Sequence, residues 1–186
     1  MKNIPFFNYP ALFKQRENEY LEVVHDVLKR GAYIMQSELL DFETELANKL
    51  NVKHAVGVAD GTMALLISLK AAGVGPGDEV IVPSHTFVAS AAAISHTGAT
   101  PVLVECGKDH LIDYVSVQSA ITEKTKAIMP VQLNGRVANM DPILAIAKKY
   151  GLLIVEDSCQ ALGAKFNDRF AGTFGVAGTF SFFPGK

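Results

Sequence analysis

The chain has 186 residues, 49% apolar and 19% charged, with a net charge of −2; this is the composition of a globular protein large enough for a sizeable core. Such a charge excludes the electrostatic footprint of a nucleic-acid or anionic-membrane binder. Two distant cysteines, Cys106 and Cys159, form no CxxC or metal-ligand pattern, no signal-peptide h-region opens the chain, and no apolar run nears the roughly 20 residues of a membrane span, so a cytoplasmic protein without a metal site is expected.

Residues 11–31 and 37–50 read as two amphipathic helices separated near Gly31. A regular alternation follows. Short β-branched runs fall at 54–58, 79–83, 101–105, 127–131 and 152–157, with helical stretches at 62–72, 87–96, 115–121 and 141–150. This order predicts a mostly parallel sheet covered by helices on both faces, and the continuous apolar strands fit burial on both sides. Gly75-Pro76-Gly77-Asp78 is a turn, 166–170 a tight hairpin around Asn167-Asp168, and 177–183 a last strand. No repeat, linker or low-complexity stretch marks an internal boundary.

In such sheets ligands bind beyond the carboxyl ends of the strands, and the polar residues of interest fall there. Gly61-Thr62-Met63 opens a helix after a strand, where free N–H groups and close backbone approach favour a phosphate; an ordinary helix cap is the competing reading. Phe87, at a strand exit, can stack on a flat ring or simply fill the core. His85 beside it is a candidate acid or base, or a surface histidine. Asp157 closes the run Leu-Leu-Ile-Val-Glu, where a carboxylate needs a partner such as a pyridinium, or caps the next helix. Gln160 lies one turn further on. Glu156 points to the other side of its strand and is given no role. Ser181 can bind phosphate, and Lys186, five residues later in a mostly apolar setting, can act as an amine nucleophile or be a plain solvated lysine. Taken together, an acid, a ring-stacking aromatic, a phosphate cradle and a lysine suit pyridoxal 5′-phosphate (PLP), which condenses with an amine and draws electrons into a protonated ring.

From about residue 30 onward the chain resembles the DegT/DnrJ/EryC1/StrS sugar aminotransferases, PLP-dependent enzymes of fold type I. The resemblance is carried by Phe42-Glu43, Gly61-Thr62-Met63-Ala64-Leu65, the 75–80 turn and Pro83-Ser84-His85-Thr86-Phe87-Val88-Ala89. It continues through Thr125-Lys126-Ala127-Ile128, Pro130-Val131-Gln132-Leu133-Asn134-Gly135, Met140-Asp141, Glu156-Asp157-Ser158-Cys159-Gln160-Ala161 and Phe180-Ser181-Phe182-Phe183-Pro184-Gly185-Lys186. It implies a three-layer α/β/α large domain. Residues 1–186 would be an N-terminal segment plus most of that PLP-binding domain, in a fragment of a longer enzyme whose small C-terminal domain lies outside this chain.

The same resemblance implies roles. Lys186 would carry PLP as a Schiff base and shuttle protons, Asp157 would pair with the pyridine nitrogen, Gln160 would contact the ring substituents and Phe87 would stack on the ring. Gly61, Thr62, the Met63 amide and Ser181 would hold the phosphate. The reaction implied is transfer of an amino group, from L-glutamate, to a keto group of a nucleotide-linked sugar, in a homodimer with shared active sites. Two departures in sequence stand out. Gln132-Leu133-Asn134-Gly135, followed by Arg136, replaces a frequent His-Leu-Tyr-Gly and is expected near the sugar side of the pocket. So is the stretch 33–37, which lacks a usual glycine. Lys186 stands where related dehydratases have histidine. The alternative is a non-catalytic or regulatory protein of the same fold; a nucleotide-binding module is disfavoured because no GxGxxG follows a strand.

Overall fold

The structure, a computed structural model, describes residues 4–186; the first three residues of the expected 1–186 unit lie outside that range. The described chain packs into two compact units, one running to Gly57 and one comprising Val58–Pro184 with Lys186.

The first unit holds α1 (Tyr9–Gln15), α2 (Glu17–Arg30) and α3 (Ser37–Leu50). The helix expected over 11–31 is therefore two. Arg16 leaves helical geometry at φ −135°, and its guanidinium binds the Glu19 carboxylate at 2.6 Å. α2 ends at Gly31 in the left-handed region, φ 68°, a conformation that favours glycine. Met35 also has a positive φ, 47°, within the stretch that lacks the usual glycine. The strand expected at 54–58 does not form. Val56 is 77% exposed, and the Gly57 N–H donates to the Glu43 carboxylate at 2.6 Å. A β-branched run becomes a strand only where a neighbour pairs with it and another layer covers it.

In the second unit the strands are β1 (Glu79–Pro83), β2 (Thr100–Val104), β3 (Thr125–Ile128), β4 (Leu153–Asp157) and, after a short hairpin, β7 (Ala177–Thr179). They form one sheet in the order β2-β1-β3-β4-β7, and every pairing is parallel. The helices are α4 (Gly61–Ala71), α5 (Val88–His96), α6 (Tyr114–Ser119) and α7 (Met140–Tyr150). The crossover through α5 runs outward from β1 to β2, and the one through α6 returns past β1 to β3. Right-handed crossovers in opposite directions place α5 and α6 on opposite faces. α4 packs with α5 and α6 with α7, which gives the expected three layers. Val80, Ile81, Val82, Ile128, Met129 and Val155 are fully buried between them. The expected hairpin is β5 (Lys165–Phe166) and β6 (Arg169–Phe170), turned by Asn167 and Asp168 at φ 48° and 60°. Two positive φ values in a two-residue turn match the twist of paired strands. No helix among the described residues is long and apolar enough to cross a membrane.

Glu156, given no role from sequence, organises the middle of this unit. Fully buried, it accepts from the amides of Gly172, Phe174 and Gly175 at 2.9, 2.5 and 3.3 Å and from Gln132 Nε2 at 2.9 Å. Burial pushes its carboxyl above the ordinary carboxylate range, against the pull of those four donors. Replacing Glu156 by alanine is expected to cost about 3 kcal/mol or more in urea unfolding, because several amides lose their acceptor at roughly 1–3 kcal/mol each. The native state binds this proton more tightly than the unfolded chain. The Glu156 contribution to stability therefore falls as pH rises from the ordinary carboxylate range through the raised native value. Unfolding midpoints measured across that range would reveal the slope in the native sequence and its loss in the variant.

Candidate functional site

Strand order reverses between β1 and β3, so the carboxyl edge near them is where a ligand site is built in this architecture. Asp157 is the last residue of β4 and is 6% exposed. Its Oδ2 accepts from Ser90 Oγ at 2.7 Å and its Oδ1 from the Cys159 N–H at 3.2 Å. Ser90 in turn bonds Thr86 Oγ1 at 2.8 Å. Neither hydroxyl stood out from sequence. The available signal was a serine among the alanines of α5, about one turn beyond Phe87.

α4 starts at the same edge. Asp60 caps it by accepting from the Met63 N–H at 2.8 Å. The Met63 amide expected on phosphate is thus bound within the protein; the Gly61 and Thr62 amides have no partner among the described residues. A Cβ at Gly61 would lie 2.9 Å from Cys159 Sγ and 3.1 Å from Ser181 Cβ. Only glycine lets Ser181 come this close to the helix start. Burial, with the neighbouring Asp157 charge second, pushes the Cys159 thiol up to about 12, while the Lys186 cation works the other way. Cys159 is therefore not a nucleophile at neutral pH.

A hollow of about 400 Å³ opens beside these groups and is lined by Cys159, Gln160, Ser181, Phe183 and Lys186, among others. The Lys186 backbone N–H closes a turn on the Phe183 carbonyl at 2.9 Å. Lys186 is exposed and has no ion-pair partner among the described residues. Gln160 faces the hollow, with its Oε1 accepting from the Asn134 N–H at 3.1 Å. Phe87 sits at the cap of α5 and is 63% exposed. His85 is exposed, its ring 5.6 Å from that of His110.

Gln132 departs from expectation. It is fully buried, bonded to Glu156 and to the Ala138 N–H at 2.8 Å, so its side chain faces the core and not a sugar. The reason is register: Val131 pairs with Asp157, which sends the next side chain to the Glu156 side.

These residues fit PLP. A buried carboxylate suits a ring cation, two unpartnered amides with a hydroxyl held close by Gly61 suit a phosphate, and an unpaired amine lies on the same hollow. Among the described residues no cluster of His, Cys, Asp and Glu could hold a metal ion.

Comparison with known proteins agrees with this geometry. The chain is 45% identical over 184 residues to the dTDP-3-amino-3,4,6-trideoxy-α-D-glucose transaminase of Streptomyces venezuelae, covering 98% of this chain and 48% of that one. It is 42% identical over 185 residues to a pleiotropic regulatory protein of Geobacillus stearothermophilus, covering 99% and 50%. The crystal structure of S. venezuelae DesV with a ketimine intermediate superposes with a TM-score of 0.94 at 44% identity, over 100% of this chain and 50% of that one. The NtdA structure from Bacillus subtilis, with bound cofactor PMP, gives a TM-score of 0.86 at 32% identity, over 92% and 40%. The chain spans about half the length of the curated relatives it matches. The sequence pattern of the DegT/DnrJ/EryC1/StrS aminotransferase family matches residues 14–186, and the chain belongs to that family.

Proposed function

We propose that the full-length protein is a PLP-dependent aminotransferase that moves an amino group from L-glutamate to a keto group of a nucleotide-linked sugar. The observation that carries this reading is the meeting of Ser181, Gly61 and Cys159 beside Asp157, with Lys186 on the same hollow. When bound, PLP supplies an electron sink for the pair released as a Cα proton leaves. Lys186 Nζ would hold the cofactor covalently and, once the donor's amino group has displaced it, would be the free amine that takes the proton from the donor Cα. Asp157 keeps a proton on the ring nitrogen by charge. The Gly61 and Thr62 amides and the Ser181 hydroxyl receive the phosphate. Gln160 Nε2 remains available for a ring oxygen, and Phe87 offers a face for stacking.

The sugar substrate is supported by the transaminase relative and the donor by the chemistry of the family. A homodimer is supported by apolar side chains left exposed on the first unit, among them Phe6, Leu21, Val24 and Leu28. Two free cysteines suit a cytoplasmic setting. A regulatory reading rests on the name of the Geobacillus relative and is not favoured: Lys186 and Asp157, the two residues transamination calls for, are both present. Full-length protein incubated with L-glutamate and a panel of dTDP-, UDP- and GDP-linked ketosugars should yield one aminated sugar by mass spectrometry. Amination of none, with the protein folded and loaded with PLP, would refute the substrate assignment.

A further inference from the structure

We propose that Ser90 is a positioning residue for the Asp157 carboxylate, with Thr86 orienting its hydroxyl. The inference rests on the reading of Asp157 as the partner of a PLP ring nitrogen.

The three side chains form a directed chain. An ionised carboxylate only accepts, so the single hydrogen of Ser90 Oγ points at Asp157 Oδ2, 2.7 Å away. Ser90 then has only lone pairs for Thr86 Oγ1 at 2.8 Å, and Thr86 is the donor. Each O–H bond polarises the next, and the last one ends on a charge. The Cys159 N–H holds the other carboxylate oxygen at 3.2 Å. With a donor on each oxygen, the carboxylate cannot rotate without breaking a bond, and its remaining lone pairs keep a fixed direction.

The placement of Ser90 supports this role. It is fully buried on a helix whose other buried residues are Ala89, Ala93 and Ile94. A hydroxyl there is costly without a partner, and its partner lies 67 residues away on β4. The Ser90 N–H also bonds the Phe87 carbonyl at 3.1 Å. One helix start therefore fixes both the ring-stacking residue and the residue that aims the acid. A structural serine would need only an acceptor; this one holds the carboxylate assigned to the ring nitrogen.

The test uses full-length protein loaded with PLP and the variants Ser90→Ala, Ser90→Thr and Thr86→Val. Ser90→Ala is expected to lower kcat about tenfold or more, the size of one hydrogen bond to a charged group, with KM for the amino donor changed less than about threefold. A ring nitrogen held less firmly in its protonated form withdraws less charge from the lysine–cofactor bond. The pH at which the visible band titrates should therefore rise. Ser90→Thr, which keeps the hydroxyl, should restore both quantities, and Thr86→Val should move them the same way by less. Wild-type values for both in folded Ser90→Ala would overturn the proposal. So would a Ser90→Thr variant that melts like wild type yet fails like the alanine variant. If Ser90→Ala does not fold, Thr86→Val decides, and an unmoved band titration overturns the proposal. A crystal structure of cofactor-free Ser90→Ala gives an independent readout: the Asp157 carboxylate should leave its position, and an unmoved carboxylate contradicts the role. If wild-type protein takes up no PLP, the functional reading fails instead, and that crystal structure still decides whether Ser90 positions Asp157.

Discussion

Replacing Lys186 by alanine in the full-length protein is expected to reduce transamination by roughly 10⁴-fold or more, with the fold intact. General acid–base catalysis alone contributes about 10²–10⁴-fold, and in the proposed function the same amine would also hold the cofactor covalently. Among the described residues, no buried contact depends on the side chain. Lys186 is exposed, has no ion-pair partner among the described residues, and makes its hydrogen bond to Phe183 through the backbone N–H. Thermal melting should therefore stay close to wild type while turnover disappears. Turnover at the wild-type rate under saturating PLP would remove Lys186 from the chemistry.

Asp157→Asn is expected to lower turnover by roughly 10²–10³-fold at saturating PLP, the range seen when one preorganised electrostatic contact is removed. The amide matches the carboxylate in shape but carries no charge, so it cannot hold a proton on the ring nitrogen electrostatically. It also has one acceptor atom where the carboxylate has two, and both Ser90 and the Cys159 amide donate to Asp157. One of those donors must lose its partner. A rate within a fewfold of wild type would leave Asp157 only its local hydrogen-bonding role at the end of β4.

Much of the second unit was legible because its signals are local. The apolar runs of β1 to β4 are bounded by turn residues, and Asn167-Asp168 specifies its hairpin without outside help. The segment 54–58 shows the limit. Its residues suit a strand, yet Val56 stays exposed, because pairing and cover come from elsewhere in a fold. Arg16 shows another. No glycine or proline marks the break between α1 and α2; a local ion pair accompanies it. At the site, Asp157, Ser181, Gln160 and Lys186 stood out because each follows a strand or lies in a recognisable stretch. Ser90 did not, Glu156 was given no role, and Gln132 was expected near the sugar and lies in the core. The partners that define them lie 67, 16 and 24 residues away, and a serine in an alanine-rich helix or a glutamate beside an aspartate gives no hint of such distant contacts.

In the proposed function, the full-length protein holds PLP on Lys186 and passes the donor's amino group through it. The most direct measurement is the absorbance spectrum of the full-length protein with PLP, followed through successive additions. A visible band should appear with PLP, disappear on adding L-glutamate, and return when the matching nucleotide-linked ketosugar accepts the amino group. Borohydride reduction of the first state should leave the cofactor attached to the peptide containing Lys186. A protein that forms no band with PLP, or whose band glutamate leaves unchanged while the cofactor maps to another lysine, would contradict the account.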